Sequence, residues 1–217
     1  MATADPSGLT TTSYAILGLL AIKPWTTYEL TQQMDRSLGR VWPRATSKLY
    51  EEPKKLVAAG LARASDEAVG RRPRKIYTIT PKGRRALRSW LREPGEGPVL
   101  EFEQLLKIFF AENGTKADVL ATLDATRAWV RERNVENERA ARQYLQGEAP
   151  FPQRAAQNFV CGRFLTDFYE MVWDWAEWAT RVVEAWPDDV AHARPDPTEQ
   201  AAALRRAERL SRAAERR

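Results

Sequence analysis

Six consecutive residues, Glu93-Pro94-Gly95-Glu96-Gly97-Pro98, divide the chain. Two prolines and two glycines in that window stop a helix arriving from either side and offer a strand nothing to bury. A single continuous bundle cannot run through it, so the 217 residues are expected to fold as two units. The charge changes sign at the same place. Residues 1–98 carry 17 Lys/Arg and 9 Asp/Glu, a net of +8, whereas residues 99–190 carry 10 and 16, a net of −6. The remaining stretch, 191–217, carries 7 and 4, a net of +3. The expected organisation is a basic polyanion-binding domain with its linker (1–98), an acidic and aromatic helical domain (99–190), and an Ala/Arg/Glu-rich tail (191–217).

Several function classes are excluded early. Cys161 and His192 are the single cysteine and histidine, and they lie far apart in sequence. That rules out an internal disulfide framework and a multi-cysteine metal site, and it argues against a Cys–His nucleophile pair and a histidine-ligated metal. Cys161 is expected to be an inert, buried thiol. With no Gly-rich phosphate loop and no triad precursor, a non-enzyme without cofactor or metal is expected. The longest uncharged apolar run near the start, 14–22, spans nine residues. A membrane span needs about 20, and no basic stretch precedes the run as a signal peptide requires. No membrane partner and a cytoplasmic location are expected.

In the basic half, residues 13–22 are apolar on nearly all sides, with Thr12 as N-cap and Pro24 as stop, which predicts a buried helix. Thr26-Thr27-Tyr28-Glu29 fits a capping box, followed by Leu30, Met34 and Leu38 at four-residue spacing and a stop at Gly39. A third helix is expected over 46–59, ended by Gly60, with Leu49, Leu56 and Ala59 inward, Lys48, Glu51, Lys54 and Lys55 outward, and a kink at Pro53. Residues 61–65 and 75–80 then read as two strands, the second alternating Ile76 and Thr78 with Tyr77 and Ile79. They bracket a hairpin tip carrying Arg71, Arg72, Arg74 and Lys75. Four cations in five positions repel one another, and a polyanion relieves that repulsion; a merely solvated charge run is the alternative. Thr80-Pro81 restarts a helix to about residue 92. Three helices, a hairpin and a helix make a winged helix-turn-helix.

The order of short stretches is more specific than any one of them. Ile16-Leu17-Gly18-Leu19-Leu20, Tyr28-Glu29-Leu30, Trp42, Leu49-Tyr50, Leu56, Gly60-Leu61 and Lys75-Ile76-Tyr77-Thr78-Ile79-Thr80-Pro81-Lys82-Gly83 together resemble the PadR family of winged-helix transcriptional regulators. The family often has Gly where Thr27 stands, and a smaller, Gly-containing turn in place of Lys23-Pro24-Trp25. The resemblance implies that Tyr50 and the polar residues before it form the DNA-facing start of the third helix; a core role for the Tyr50 ring stays open. Arg44, Thr46, Ser47 and Lys48 suit that place, because a helix N-terminus favours phosphate and long cations reach base edges. With Lys54 and the wing cations Arg71, Arg72, Arg74 and Lys75, they form the expected DNA-binding set. Trp42 and Tyr77 are assigned to packing.

In the acidic half, Leu100, Leu105, Leu106, Phe109 and Phe110 form a stripe at helical spacing, and Thr115-Lys116-Ala117-Asp118 opens a long helix to about residue 146. Its stretch 131–143 is almost wholly polar and reads as a solvated arm. A last strong helix over 152–186 holds Phe159, Phe164, Phe168, Tyr169, Trp173, Trp175, Trp178 and Trp186, more apolar surface than one partner helix covers. Core packing, a homodimer interface and a small-molecule pocket are all open readings of it. The domain resembles the longer C-terminal type of the family, whose members pair through these helices and respond to aromatic compounds. That likeness implies dimer contacts at Phe109, Phe159, Phe168, Val172 and Trp175, and an aromatic effector beside Trp175 and Trp178. Residues 198–217, with a weak face of Leu204, Ala207 and Leu210, read as an isolated helix, a disordered tail or a basic arm on DNA.

The expected function is therefore a DNA-binding transcriptional repressor. It would bind a pseudo-palindromic duplex as a homodimer and be released by a small-molecule effector. The rival is a winged-helix module that contacts protein rather than DNA.

Overall fold

The computed structural model describes residues 8–43, 50–69 and 72–216. The chain divides into two compact units, Met1–Val99 and Leu100–Arg217.

In the first unit, α1 (Thr11–Ile22) is capped by Thr10 rather than Thr12. Thr10 and Ser13 exchange backbone and hydroxyl hydrogen bonds (3.0 and 3.3 Å), and Thr12 is left to the interior. After α1 come β1 (Trp25–Thr26) and α2 (Thr27–Gln33), which runs into a wider π turn at Met34–Leu38. The capping box stands: Glu29 Oε2 accepts from the Thr26 amide at 2.8 Å and from its hydroxyl at 2.9 Å. The described part of the third helix, α3, is Glu52–Ala58, so Pro53 lies in its first turn. There its missing N–H leaves nothing unpaired; residues 46–49 of the expected helix lie outside the described residues, and the kink expected at Pro53 is left to them. Gly60, at φ +70°, ends the helix in a left-handed turn that sends Leu61 N–H back to the Leu56 carbonyl at 2.8 Å. Ala59, expected inward, is exposed on that turn.

The hairpin is longer than its apolar residues suggested. β2 (Ala62–Val69) pairs antiparallel with β3 (Arg72–Ile79), placing Asp66 opposite Lys75 and Glu67 opposite Arg74. Directly opposed opposite charges each stabilise a ladder by about 0.2–1 kcal/mol, enough to carry poor strand formers into it. β1 joins the other edge of β3, with Trp25 opposite Tyr77, and completes a sheet in the order β1-β3-β2. The turn that departs from the family pattern is thus a sheet edge. The Trp25 indole N–H donates to the Leu19 carbonyl at 2.7 Å, and Lys23 sits over the ring.

α4 (Pro81–Trp90) starts at Thr80, whose hydroxyl accepts from the Gly83 amide. The core is formed by Ile16, Leu17 and Leu20 of α1, Leu30, Met34, Leu56, Tyr77 and Ile79. Tyr14 and Trp90 stack at 5.1 Å. The result is a winged helix-turn-helix.

The second unit is helical: α5 (Glu103–Phe109), α6 (Lys116–Leu145), α7 (Ala155–Glu184) and α8 (Pro197–Glu215). Thr115 and Asp118 form the capping box that opens α6, as expected. α6 and α7 lie antiparallel: Lys116 donates to the carbonyls of Glu184 and Trp186 (both 2.8 Å), while Asn137 meets Thr166 at 2.8 Å farther along. The arm expected to be solvated is mostly exposed, but Asn137 is buried against α7, so it is a paired helix and not a free one. Two clusters fill the seam: Val119, Leu123, Ala176, Ala179 and Val183, then Val130, Leu165, Tyr169 and Val172. Cys161, expected buried, is exposed on α7. Among the described residues, no helix is long and apolar enough to cross a membrane and no acid, Cys and His group could hold a metal.

Candidate nucleic-acid interface

Arg44, Thr46, Ser47, Lys48 and Arg71, expected at the interface, lie outside the described residues, as does Leu49, expected in the core. For Arg72 the backbone alone is described, at the start of β3. Of the rest, Tyr50 stands just before α3 and is 64% exposed, so its ring is not part of the core. Lys54 points outward and is bonded to Glu51 at 2.9 Å, which holds its ammonium above the ordinary lysine range. Trp42 is half-buried and its indole N–H donates to Thr12 Oγ1 at 3.1 Å; Tyr77 is buried in the sheet. Both pack, as assigned.

Arg74 and Lys75 are exposed, but they are ladder residues and not tip residues. As neighbours on a strand they project to opposite faces. Each stands across from an acid, so the wing's positive field is partly balanced along β2.

What places α3 is a residue that sequence reasoning passed over. Glu52 is only 2% exposed; it accepts from the Ser13 hydroxyl at 2.6 Å and pairs with Lys55 at 3.0 Å. A buried carboxylate is stable only when so paired, and here it ties the start of α1 to the first turn of α3. The signal was present in the spacing. Glu52 stands four residues before the buried Leu56, on the same face, while Glu51 does not. Gly83 fixes α4 against the hairpin: a Cβ there would lie 2.1 Å from the Leu61 carbonyl oxygen. Lys82 donates to the Ala59 carbonyl at the end of α3, 2.9 Å away. Helix, wing and α4 are thus fixed to one another at the junction 59–61.

In the second unit, Phe109 and Phe159 are exposed (76% and 74%), whereas Val172 is already covered within its own chain at 3%. Phe168 is half-buried, edge-on to Trp129, and Trp175 is half-buried, edge-on to Phe102 at 5.9 Å. Val160, Phe164, Met171 and Trp178 are exposed as well. Phe164, Phe168, Met171, Trp175, Trp178 and Val182 recur at alternating spacings of four and three, the seam of a coiled coil. Trp178 gives its indole N–H to Glu199 at 3.3 Å. An open cleft of about 430 Å³ lies between α5 and the start of α6, lined by Leu106, Phe110, Val119 and Thr122 among others. It includes neither Trp175 nor Trp178.

Residues 16–89 match the transcriptional regulator PadR-like family, and residues 103–184 match the virulence activator alpha C-term family. The negative transcriptional regulator PadR of Bacillus subtilis is 33% identical over 99 residues, 45% of this chain and 54% of that protein. The chain spans about half the length of the curated relatives it matches. Among solved structures, Bacillus subtilis PadR in complex with operator DNA superposes with TM-score 0.68 at 21% identity, covering 80% of this chain and 99% of the other. The same regulator in complex with p-coumaric acid gives 0.62 at 21% identity, covering 83% and 98%. Residues 16–89 thus carry a PadR-like winged helix-turn-helix domain, and with the helical unit that follows the chain is similar to PadR-like transcriptional regulators of the type with a longer C-terminal domain.

Proposed function

We propose that the chain is a sequence-specific DNA-binding transcriptional regulator acting as a homodimer. The observation that carries this is the rigid junction at residues 59–61, which presents the third helix and a cationic hairpin as one body in a domain of net charge +8. The polar stretch Arg44 to Lys48 and Tyr50 would read base edges, and Arg71, Arg72, Arg74 and Lys75 would hold phosphates. The exposed seam of Phe164, Met171 and Trp178, with Phe159 and Phe109, is more apolar surface than a lone chain leaves to water, and a symmetric second copy would cover it. Two linked reading heads favour a pseudo-palindromic operator with half-sites a helical turn or more apart.

Repression, rather than activation, follows the negative regulator it resembles. Release by an aromatic effector follows the relative solved with p-coumaric acid, with Trp175 and Trp178 as the candidate contacts. One observation favours the alternative, a module that contacts protein: Asp66 and Glu67 stand opposite two of the wing cations and lower the wing's attraction for a polyanion.

Replacing Arg71, Arg72 and Arg74 with Ala separates the two. On DNA the triple variant should bind every duplex more weakly and with a flatter salt dependence, because phosphate contacts release counterions whatever the sequence. Unchanged DNA affinity in that variant would remove the wing from the interface.

A further inference from the structure

The last helix does not pay its way by packing. All 19 residues of α8 lack a buried side chain, and the element lies beyond both family-matched segments, the second of which ends at residue 184. An isolated helix of this length is marginal in water unless its ends and composition support it. α8 has such support. Asp196 caps its start by accepting from the Thr198 and Glu199 amides (2.7 and 3.4 Å), Pro197 occupies the first position, and alanine recurs along its length. Glu199 ties the first turn to Trp178 of α7. The helix is therefore built and anchored at its base, and it is exposed along the rest.

Its two faces differ in strength. At about 100° per residue, Arg205, Arg209, Arg212 and Arg216 fall within a sector of about 60°, in a stripe about 16 Å long. The opposite face offers mainly alanine with Leu204 and Leu210, too little apolar area for a stable protein interface of about 800 Å² per partner. The four cations of α8 and its C-cap Arg216 are all arginine and none is lysine. The planar guanidinium suits bidentate contact with phosphate. Among the described residues, the stripe makes one ion pair, Arg212 with Glu208 at 4.0 Å, the outer limit of such a contact.

We propose that α8 is a second DNA-contacting element: its arginine stripe lies on the phosphate backbone and adds sequence-independent affinity to that of the winged helix. This rests on the DNA-binding reading above, and it places a contact on an element beyond both family-matched segments.

The test uses the full chain and two variants, with Arg205, Arg209, Arg212 and Arg216 all changed to Gln or all changed to Lys. Affinity for one duplex is measured from about 0.05 to 0.2 M salt, with helix content checked by circular dichroism. If two to four stripe residues touch phosphates, the Gln variant should flatten the log–log salt slope by about 2 to 4, and the Lys variant should keep most of it. With four contacts the wild-type chain loses about a hundredfold more affinity than the Gln variant over that range. A Gln slope within one of wild type overturns the proposal. So does a defect that appears as a changed molecular mass with the slope intact, since it would assign the stripe to an acidic face of another protein chain. Absence of salt-dependent binding by the wild-type chain would overturn the DNA-binding reading and this proposal together, whereas steep wild-type binding with an unchanged Gln slope refutes this proposal alone.

Discussion

Gly83→Ala sets two effects of opposite sign against each other. Ala is the better helix former by about 1 kcal/mol, so propensity alone favours the substitution in α4. The structure opposes it. The added methyl would lie 2.1 Å from the Leu61 carbonyl oxygen and 2.9 Å from Ile79 Cγ1. The first of these contacts is with backbone, so no side-chain rotation relieves it. α4 must instead move by more than an ångström to reach ordinary contact, which strains the bonds from Thr80 Oγ1 to the Gly60 and Leu61 carbonyls (2.8 and 3.1 Å). Overpacking of this kind costs about 1–3 kcal/mol and occasionally more, and each weakened hydrogen bond adds about 1 kcal/mol. The net expectation is a loss of at least about 2 kcal/mol, or about 8–16 °C in the melting temperature of a domain of this size. Gly18→Ala is the control: nothing lies within 4 Å of its Cβ position on α1, so stability should rise by about 0.5–1 kcal/mol. Thermal and urea unfolding of the two full-length variants decides the matter. A Gly83→Ala chain as stable as wild type would mean that α4 is not held against the hairpin as described.

Glu52→Ala should cost about 2–3 kcal/mol by leaving the Ser13 hydroxyl without its buried acceptor, and a double-mutant cycle with Ser13→Ala should recover part of that loss. Backbone and hydroxyl hydrogen bonds from Thr26 hold the Glu29 carboxyl below its ordinary value of 4.5. Its cap therefore contributes fully above that value and fades as pH falls through the lower folded one. Urea midpoints should accordingly show Thr26→Ala costing about 1 kcal/mol at pH 7 and less at pH 3. Met171→Glu on the exposed seam should halve the molecular mass by light scattering while moving the unfolding midpoint of the separated chain by less than about 0.5 kcal/mol. Planar phenolic compounds should quench tryptophan fluorescence and lower DNA affinity together, with Trp178→Phe weakening both responses; quenching without any loss of DNA binding would detach Trp178 from control.

Where the fold was legible, the rule was local. The capping boxes at Thr26–Glu29 and Thr115–Asp118 need only residues three apart, and both stand as expected. The element limits that were misjudged depend on partners distant in sequence. Asp66 and Glu67 become strand because Lys75 and Arg74 lie across from them, and Trp25 becomes a sheet edge because β3 presents Tyr77 beside it. Cys161 was expected buried as free cysteines commonly are, but it lies exposed on α7. The candidate interface was legible as a type, a polar helix start and a cationic hairpin. Of its supports, Glu52 was signalled by its spacing from Leu56, whereas Gly83 became visible only from its contact with the Leu61 carbonyl across the fold.

Specificity tests the central claim most directly. Duplexes selected by the full-length chain from a random library can be compared with scrambled duplexes of equal length and charge, at one fixed salt concentration. A sequence-specific regulator should bind its selected site about a thousandfold or more tightly than the scrambled one, with the two half-sites related by a two-fold axis. A ratio under about tenfold, from a folded and dimeric chain, would contradict that claim and leave the winged helix as a module for some other partner.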